Sequence, residues 1–178
     1  MRLRHSTAAM TAAVLLTVGC GTGTPDKSTG STQASSTTQS APAPPPAPAE
    51  PLTAKQVLDK LTAAELGLTS GAVQDEDTDP NDLLGRPNGY TSRASADLPG
   101  ADKQADKYGV DRGLVVEVFT AAEDVERRAK YIQDSLRSMP ILGTEYHYRA
   151  DHGRVLVRVS GKLKPTQAKK IEAAVLGL

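Results

Sequence analysis

The residues Arg112-Gly-Leu-Val-Val-Glu-Val-Phe119 decide the fold. Leu114, Val115, Val116 and Val118 make a nearly continuous, mostly β-branched run, the composition of a strand covered on both faces. The run predicts an interior position in a sheet. Glu117 then needs an exit or a partner, because a carboxylate buried alone is costly.

Downstream, Thr120-Ala-Ala-Glu123 has the form of a capping box that opens a helix. Val125, Ala129, Ile132 and Leu136 fall on one face of that helix before Pro140 closes it. Glu126, Arg127, Arg128, Lys130 and Asp134 mark its wet side. Thr144 to Arg149 and Arg154 to Ser160 alternate as two strands of a hairpin across the loop Ala150-Asp-His-Gly153. A four-residue loop there would set Arg149 opposite Arg154, His147 opposite Leu156 and Glu145 opposite Arg158. Tyr148, Tyr146 and Thr144 would meet Val155, Val157 and Val159 on the core side. Lys164-Pro165 leads into a last helix with Ala168, Ile171, Val175 and Leu178 inward and Lys169, Lys170 and Glu172 outward.

Upstream, Thr53-Ala-Lys-Gln56 reads as a capping box with Leu52 and Val57 at the staple positions. Val57, Leu61, Ala64 and Leu68 mark one helical face, and Gly67 can take the left-handed conformation that stops the helix. Leu68 to Gln74 is a first strand interrupted by Gly71. Asn88-Gly89 is a turn signal, followed by a strand over Gly89 to Asp97 with Tyr90, Ser92, Ala94 and Ala96 on one side. Leu98 to Asp111, broken by Pro99-Gly100, reads as a loop. The order predicts an α+β fold: a mainly antiparallel sheet with helices packed on one face, and the helix after Phe119 serving as a crossover.

Asp75-Glu-Asp-Thr-Asp-Pro-Asn-Asp82 places acidic or amide side chains at alternate positions, as at the start of an EF-hand calcium loop. Such a loop needs Gly at its sixth place and Glu at its twelfth, where this chain has Pro80 and Arg86. The simpler expectation is that Asp79 caps a short helix begun by Pro80 and ended at Gly85.

The chain has no Trp, one Phe and five Tyr, so the core of residues 51–178 must be built of Leu, Val, Ile and Ala. Between Pro51 and Asp111 there are 6 Lys and Arg against 11 Asp and Glu, and from Arg112 onward 12 against 8. That imbalance suits attraction between two halves of one domain or toward a partner. Nucleic-acid binding would call for a concentrated basic face with stacking aromatics, and is not expected.

Arg2 and Arg4 precede an apolar run from Ala8 to Val18, shorter than the roughly 20 residues a membrane span needs. The run ends in Leu15-Leu16-Thr17-Val18-Gly19-Cys20, with Thr17 where an aliphatic residue is usual, and Cys20 is the one cysteine of the chain. This stretch resembles the lipobox of bacterial lipoproteins. The resemblance implies cleavage after Gly19 and attachment of a diacylglyceryl group, with acyl chains of the palmitate kind, to Cys20. The alternative is a general secretory signal that contains a cysteine. Gly21 to Ser40 is rich in Gly, Ser and Thr, and Ala41 to Ala49 alternates Ala with Pro. That composition predicts a disordered tether, a flexible coil followed by a stiffer polyproline segment. The expected organisation is therefore 1–19 signal peptide, 20–50 lipidated cysteine and tether, and 51–178 a single domain. Basic start, lipobox, tether and small domain together resemble the exported lipoproteins of actinomycete-like bacteria. The resemblance implies attachment to the extracytoplasmic side of the cell membrane.

No phosphate-binding loop, nucleophile elbow or His-Glu-x-x-His helix occurs in the sequence, so neither cofactor nor metal is expected. His147 and His152 read as a strand and a turn histidine. The sheet face carrying Glu145, His147, Arg149, Arg154 and Arg158 has two readings. It is the solvated side of the sheet, or a face that docks an anionic envelope component or an envelope protein through guanidinium forks. The function expected is a non-catalytic binding or interaction module of the cell envelope. The alternative is an envelope hydrolase or a small-ligand sensor.

Overall fold

The computed structural model describes residues 50–178. The expected signal peptide, Cys20 and nearly all of the tether lie outside the described residues. Eight principal elements follow in the order α1 (Ala54–Ala63), β1 (Thr69–Gln74), β2 (Ser92–Asp97), β3 (Gly113–Val118), α2 (Ala122–Ser138), β4 (Glu145–Ala150), β5 (Val155–Ser160) and α3 (Pro165–Leu176). The strands form one sheet in the order β1-β2-β3-β5-β4, and every neighbouring pair is antiparallel. β3 is central and fully buried, as its sequence predicts. α2 carries the chain from β3 to β4 at the far edge, and β5 returns to fill the slot between them.

The period-two alternation of β3 divides its side chains between two layers. Leu114, Val116 and Val118 join Ala94, Ala96, Val155, Val157 and Val159 in the larger core, covered by Ala54, Val57, Leu58 and Leu61 of α1 and by Ile171 and Val175 of α3. On the opposite face Leu156 packs with Val125 and Ala129 of α2 and with Tyr90 and Phe119. The two aromatic rings of that cluster meet edge to face at 5.9 Å and 84°. The antiparallel α+β architecture is thus as expected, with one difference in layering. α1 and α3 share a face, whereas α2 lies on the other, the side that carries Glu117. Tyr90 likewise belongs to the α2 side and precedes the strand proper, which begins at Ser92.

Local signals account for most of the boundaries. The Thr53 hydroxyl accepts from Gln56 N–H while the Gln56 side chain accepts from Thr53 N–H, the reciprocal cap read from the sequence. Leu52 N–H, one residue earlier, donates to Asp151 Oδ2 at 3.2 Å and fixes where the chain enters the domain. The second box is not formed. α2 starts from Ala121 with no side-chain cap, and Glu123 and Asp124 instead supply negative charge to its first turn.

The hairpin between β4 and β5 keeps the predicted faces and changes the partners. Arg149 lies opposite Leu156, His147 opposite Arg158 and Glu145 opposite Ser160, a slip of two residues from the expected register. The cause is the turn. Asp151, His152 and Gly153 take left-handed φ values of 47°, 54° and 83°, and Arg154 remains in the turn in a right-handed helical conformation. The loop is therefore 151–154 rather than 150–153. An even slip leaves inward residues inward, so Tyr146 and Tyr148 still pack on the core side.

In the acidic run, Pro80 opens a turn rather than a helix. Asp79 nevertheless acts as a cap, since its carboxylate accepts from the amides of Asn81, Leu83 and Leu84 at 3.1, 2.8 and 3.0 Å and from the Tyr90 hydroxyl at 2.5 Å. Burial alone would raise its carboxyl, but those donors hold it below the ordinary carboxylate value. Asp75 is occupied by the amide and hydroxyl of Thr78. A calcium ion would have to displace these protein donors. Melting the protein with and without millimolar calcium should give the same midpoint, and a rise with calcium would show that the run coordinates the ion.

Candidate functional site

Glu117 sits at the middle of the central strand with no exposed surface, and its partners come from two directions. Arg158, its diagonal neighbour on β5, donates from Nη1 to Oε1 at 2.9 Å. Arg128 reaches down from α2 and spans both oxygens, Nε to Oε2 at 3.1 Å and Nη2 to Oε1 at 3.2 Å. Arg158 in turn grips Glu145 with a two-pronged contact, Nε to Oε2 at 2.9 Å and Nη2 to Oε1 at 2.8 Å. His147, across the ladder from Arg158, closes the series with Nε2 at 2.9 Å from Glu145 Oε2. Arg128, Glu117, Arg158 and Glu145 thus form one chain of alternating charge beneath α2, with the His147 ring bonded at its end.

The electrostatics follow from that alternation. Burial would raise the Glu117 carboxyl, yet the guanidiniums of Arg158 and Arg128 outweigh it and hold the group below its ordinary value. For Glu145 burial again acts upward, while hydrogen bonds from Arg158 and His147 and the Arg158 charge bring the carboxyl down to about 2. Arg158 loses hydration, but two carboxylates more than restore its proton affinity, so its value is raised. Glu117, Arg158 and Glu145 each have two hydrogen-bonding partners, the condition under which a buried charge is tolerated.

Of the five residues read as one face from the sequence, the structure brings together Glu145, His147 and Arg158. Arg149 lies at the exposed rim, where Nε is 2.5 Å from Glu126 Oε1. Arg154 does not join them. It is held in the turn by Asp151, Nη2 to Oδ1 at 3.1 Å. His152 sits in the same turn, exposed, with no place in the network. Beside the network, α2 and β4 border a cleft of about 430 Å³ lined by Glu126, Lys130, Gln133, His147 and Arg149 among others. The His147 side chain is only 6% exposed and its Nδ1 has no partner.

Two residues escaped the sequence reading. Arg128 stands among charged residues on the expected wet side of α2, yet it lies one helical step from Val125 and from Ile132, so the inward stripe that those two define runs through it. Arg93 is the largest fully buried side chain, bonded to Gln74 and to the Tyr108 carbonyl at 2.8 Å each. Its alternation with Ser95 and Asp97 was the available signal, and it gave no hint of depth. Compared with protein-family models, with curated proteins and with solved structures, the chain matches none of them.

Chemically, Glu145 orients the His147 imidazole, the first half of a relay. The carboxylate is spent on Arg158, however, and Ser160 Oγ, across the ladder from Glu145, accepts from Lys162 N–H. Among the described residues the network is therefore built to be neutral and fixed.

Its contribution to stability carries a sign. A carboxyl whose folded value is depressed stabilises the fold above its unfolded value, about 4.5 for Glu145, and that contribution is lost as pH falls toward about 2. Over that window Glu145 accounts for roughly 3 kcal/mol. The Glu145→Gln variant should show a flatter fall of unfolding free energy between pH 4.5 and 2 than the wild type, measured by urea titration at each pH. Equal slopes would mean that Glu145 is not held by Arg158. Glu117→Leu, which leaves two guanidiniums facing an apolar side chain, should cost about 3–5 kcal/mol at neutral pH.

Proposed function

We propose that the chain is a membrane-anchored extracytoplasmic lipoprotein whose domain is a non-catalytic interaction module of the cell envelope. The observation that carries the reading is the order of three segments. An apolar run ends at the single cysteine, a Ser/Thr/Pro/Ala segment follows, and then comes a domain whose first helix is set by the Thr53 cap and the bond from Leu52 to Asp151. A diacylglyceryl group at Cys20 would hold the protein firmly, since each buried methylene contributes about 0.8 kcal/mol. No helix of the described residues is long and apolar enough to cross a membrane.

The contact surface we propose lies away from the sheet face of Glu145, His147 and Arg158. Glu145, His147 and Arg158 serve each other and Glu117 beneath α2. Cationic groups toward solvent include Arg149 and Lys130 at the cleft and Lys164, Lys169 and Lys170 along α3. Lys164 and Lys170 border a second cleft, about 690 Å³, between α3 and the turn that follows α1. These are the positions from which an anionic envelope component or an acidic protein surface would be held.

One observation favours the hydrolase or sensor reading, the meeting of His147 with a carboxylate at the edge of a cleft. Arg158 weighs against it, because a carboxyl held down to about 2 is a weak base. Fractionation of cells making the wild type and Cys20→Ser tests the anchoring. The wild type should sediment with membranes and carry a diacylglyceryl mass at its amino-terminal cysteine, and the variant should be released. An unmodified thiol, or a variant fully retained on membranes, would contradict the proposal.

A further inference from the structure

The two edges of the sheet are treated differently. β1 is blunted: Ser70 takes a φ of 52° and the ladder to β2 is irregular between Thr69 and Ala72. Such a bulge turns an edge away from further pairing. β4 is straight, its register to β5 unbroken from Glu145 to Ala150, and it carries neither Pro nor Lys.

The direction of the β4 backbone groups follows from one bond. Gly161 N–H donates to the Thr144 carbonyl at 2.8 Å, so Thr144 and Gly161, which extend the register by one step, are a hydrogen-bonded pair. Alternation along an antiparallel ladder then assigns Tyr146 and Tyr148 to bonds with β5. Glu145, His147 and Arg149 turn their N–H and C=O groups to the open edge. The Glu145 carbonyl agrees with this, since it accepts from the Gln133 side chain of α2 at 3.3 Å rather than from a strand.

The residues along that edge read Glu145-Tyr146-His147-Tyr148-Arg149. Turned about a two-fold axis through His147 and laid antiparallel on itself, the segment is its own complement. Glu145 falls opposite Arg149 of the second copy, Tyr146 opposite Tyr148, and His147 opposite His147. Opposite charges and aromatic pairs directly across a ladder are stabilising arrangements. The outward groups at 145, 147 and 149 are also those that must exchange hydrogen bonds when His147 pairs with itself. Tyr146 and Tyr148 are already stacked nearly parallel, 8° apart with centroids at 6.5 Å, and would continue into a ladder of four rings.

We propose that β4 pairs with β4 of a second copy about a two-fold axis at His147, joining two five-stranded sheets into one. The interface is isologous, the commonest way a chain closes on itself. Gln133 releases the Glu145 carbonyl, which is taken by Arg149 N–H of the second copy. The cleft between α2 and β4 gives the incoming side chains room on the α2 side. His147 Nδ1 is buried without a partner, on the face from which Arg149 of the second copy arrives. Each copy contributes the same groups, so the surface is satisfied by this chain alone.

The test uses the full chain carrying Cys20→Ser, so that any added cysteine is the only thiol. Sedimentation equilibrium at about 100 μM should give a dimer. Arg149→Glu, which sets like charges opposite each other and leaves the buried network untouched, should weaken the dimer at least about ten-fold. Under mild oxidant His147→Cys should form a disulfide-linked dimer, because a hydrogen-bonded pair brings Cα atoms to about 5.5 Å, within disulfide reach. Val73→Cys, exposed on the opposite edge, should not. A monomer at that concentration would overturn the proposal. So would a dimer indifferent to Arg149→Glu that crosslinks no better at 147 than at 73.

Discussion

A carboxylate at the centre of an apolar strand governs how this domain is put together. Glu117 cannot reach water from the middle of β3, and a buried ion left alone would outweigh the whole stability of a domain this size. Its presence therefore dictates what must surround it. β5 must lie beside β3 with a cation at the diagonal position, and α2 must cross over that face with a second one. Arg158 then carries surplus charge, which Glu145 neutralises from the edge strand, and His147 completes the set. One residue thus ties together the centre of the sheet, its edge and the helix above it. Two layers result from the same alternation: an apolar one under α1 and α3, and a mixed one under α2 in which Leu156, Val125 and Ala129 surround the ions.

Such networks add less net energy than their number of contacts implies, because each ion gives up its hydration. What they supply is specificity. A sheet sealed only by Val and Ala tolerates slippage, while the Glu117 and Arg158 pair ties β3 to β5 in one register. The slip of two residues at the hairpin keeps the hydrophobic faces and keeps Arg158 near Glu145, which the expected register sets directly opposite it; what the observed register adds is His147 opposite Arg158, bonded to the same carboxylate. Gly161 reinforces the choice, since a Cβ there would overlap Thr144 at the start of β4.

Much of this was legible in the sequence, and the exceptions have identifiable causes. The Val-rich run named the central strand, the Thr53 and Gln56 spacing named the first cap, and alternation in 144–160 assigned both faces of the hairpin. The register was missed because it depends on three consecutive left-handed residues at 151–153, of which only Gly153 announces itself. The side of the sheet taken by α2 was missed because its inward stripe contains Arg128, and a charged residue flanked by other charged residues reads as solvent-facing. The burial of Glu145, His147 and Arg158 was not legible for the same reason: their side chains are polar, yet they face each other and Glu117. Sequence records which residues are polar but not whether their partners are water or one another.

The central claim is that Glu117 is held by Arg158 and that this pairing organises the fold. A double-mutant cycle over Glu117→Leu and Arg158→Leu, read by urea unfolding at neutral pH, tests it most directly. The account predicts single losses that fail to add, with an interaction of about 2–3 kcal/mol between the two positions. Losses that simply sum would contradict it, leaving Glu117 without its partner and the arrangement of β5 and α2 without its cause.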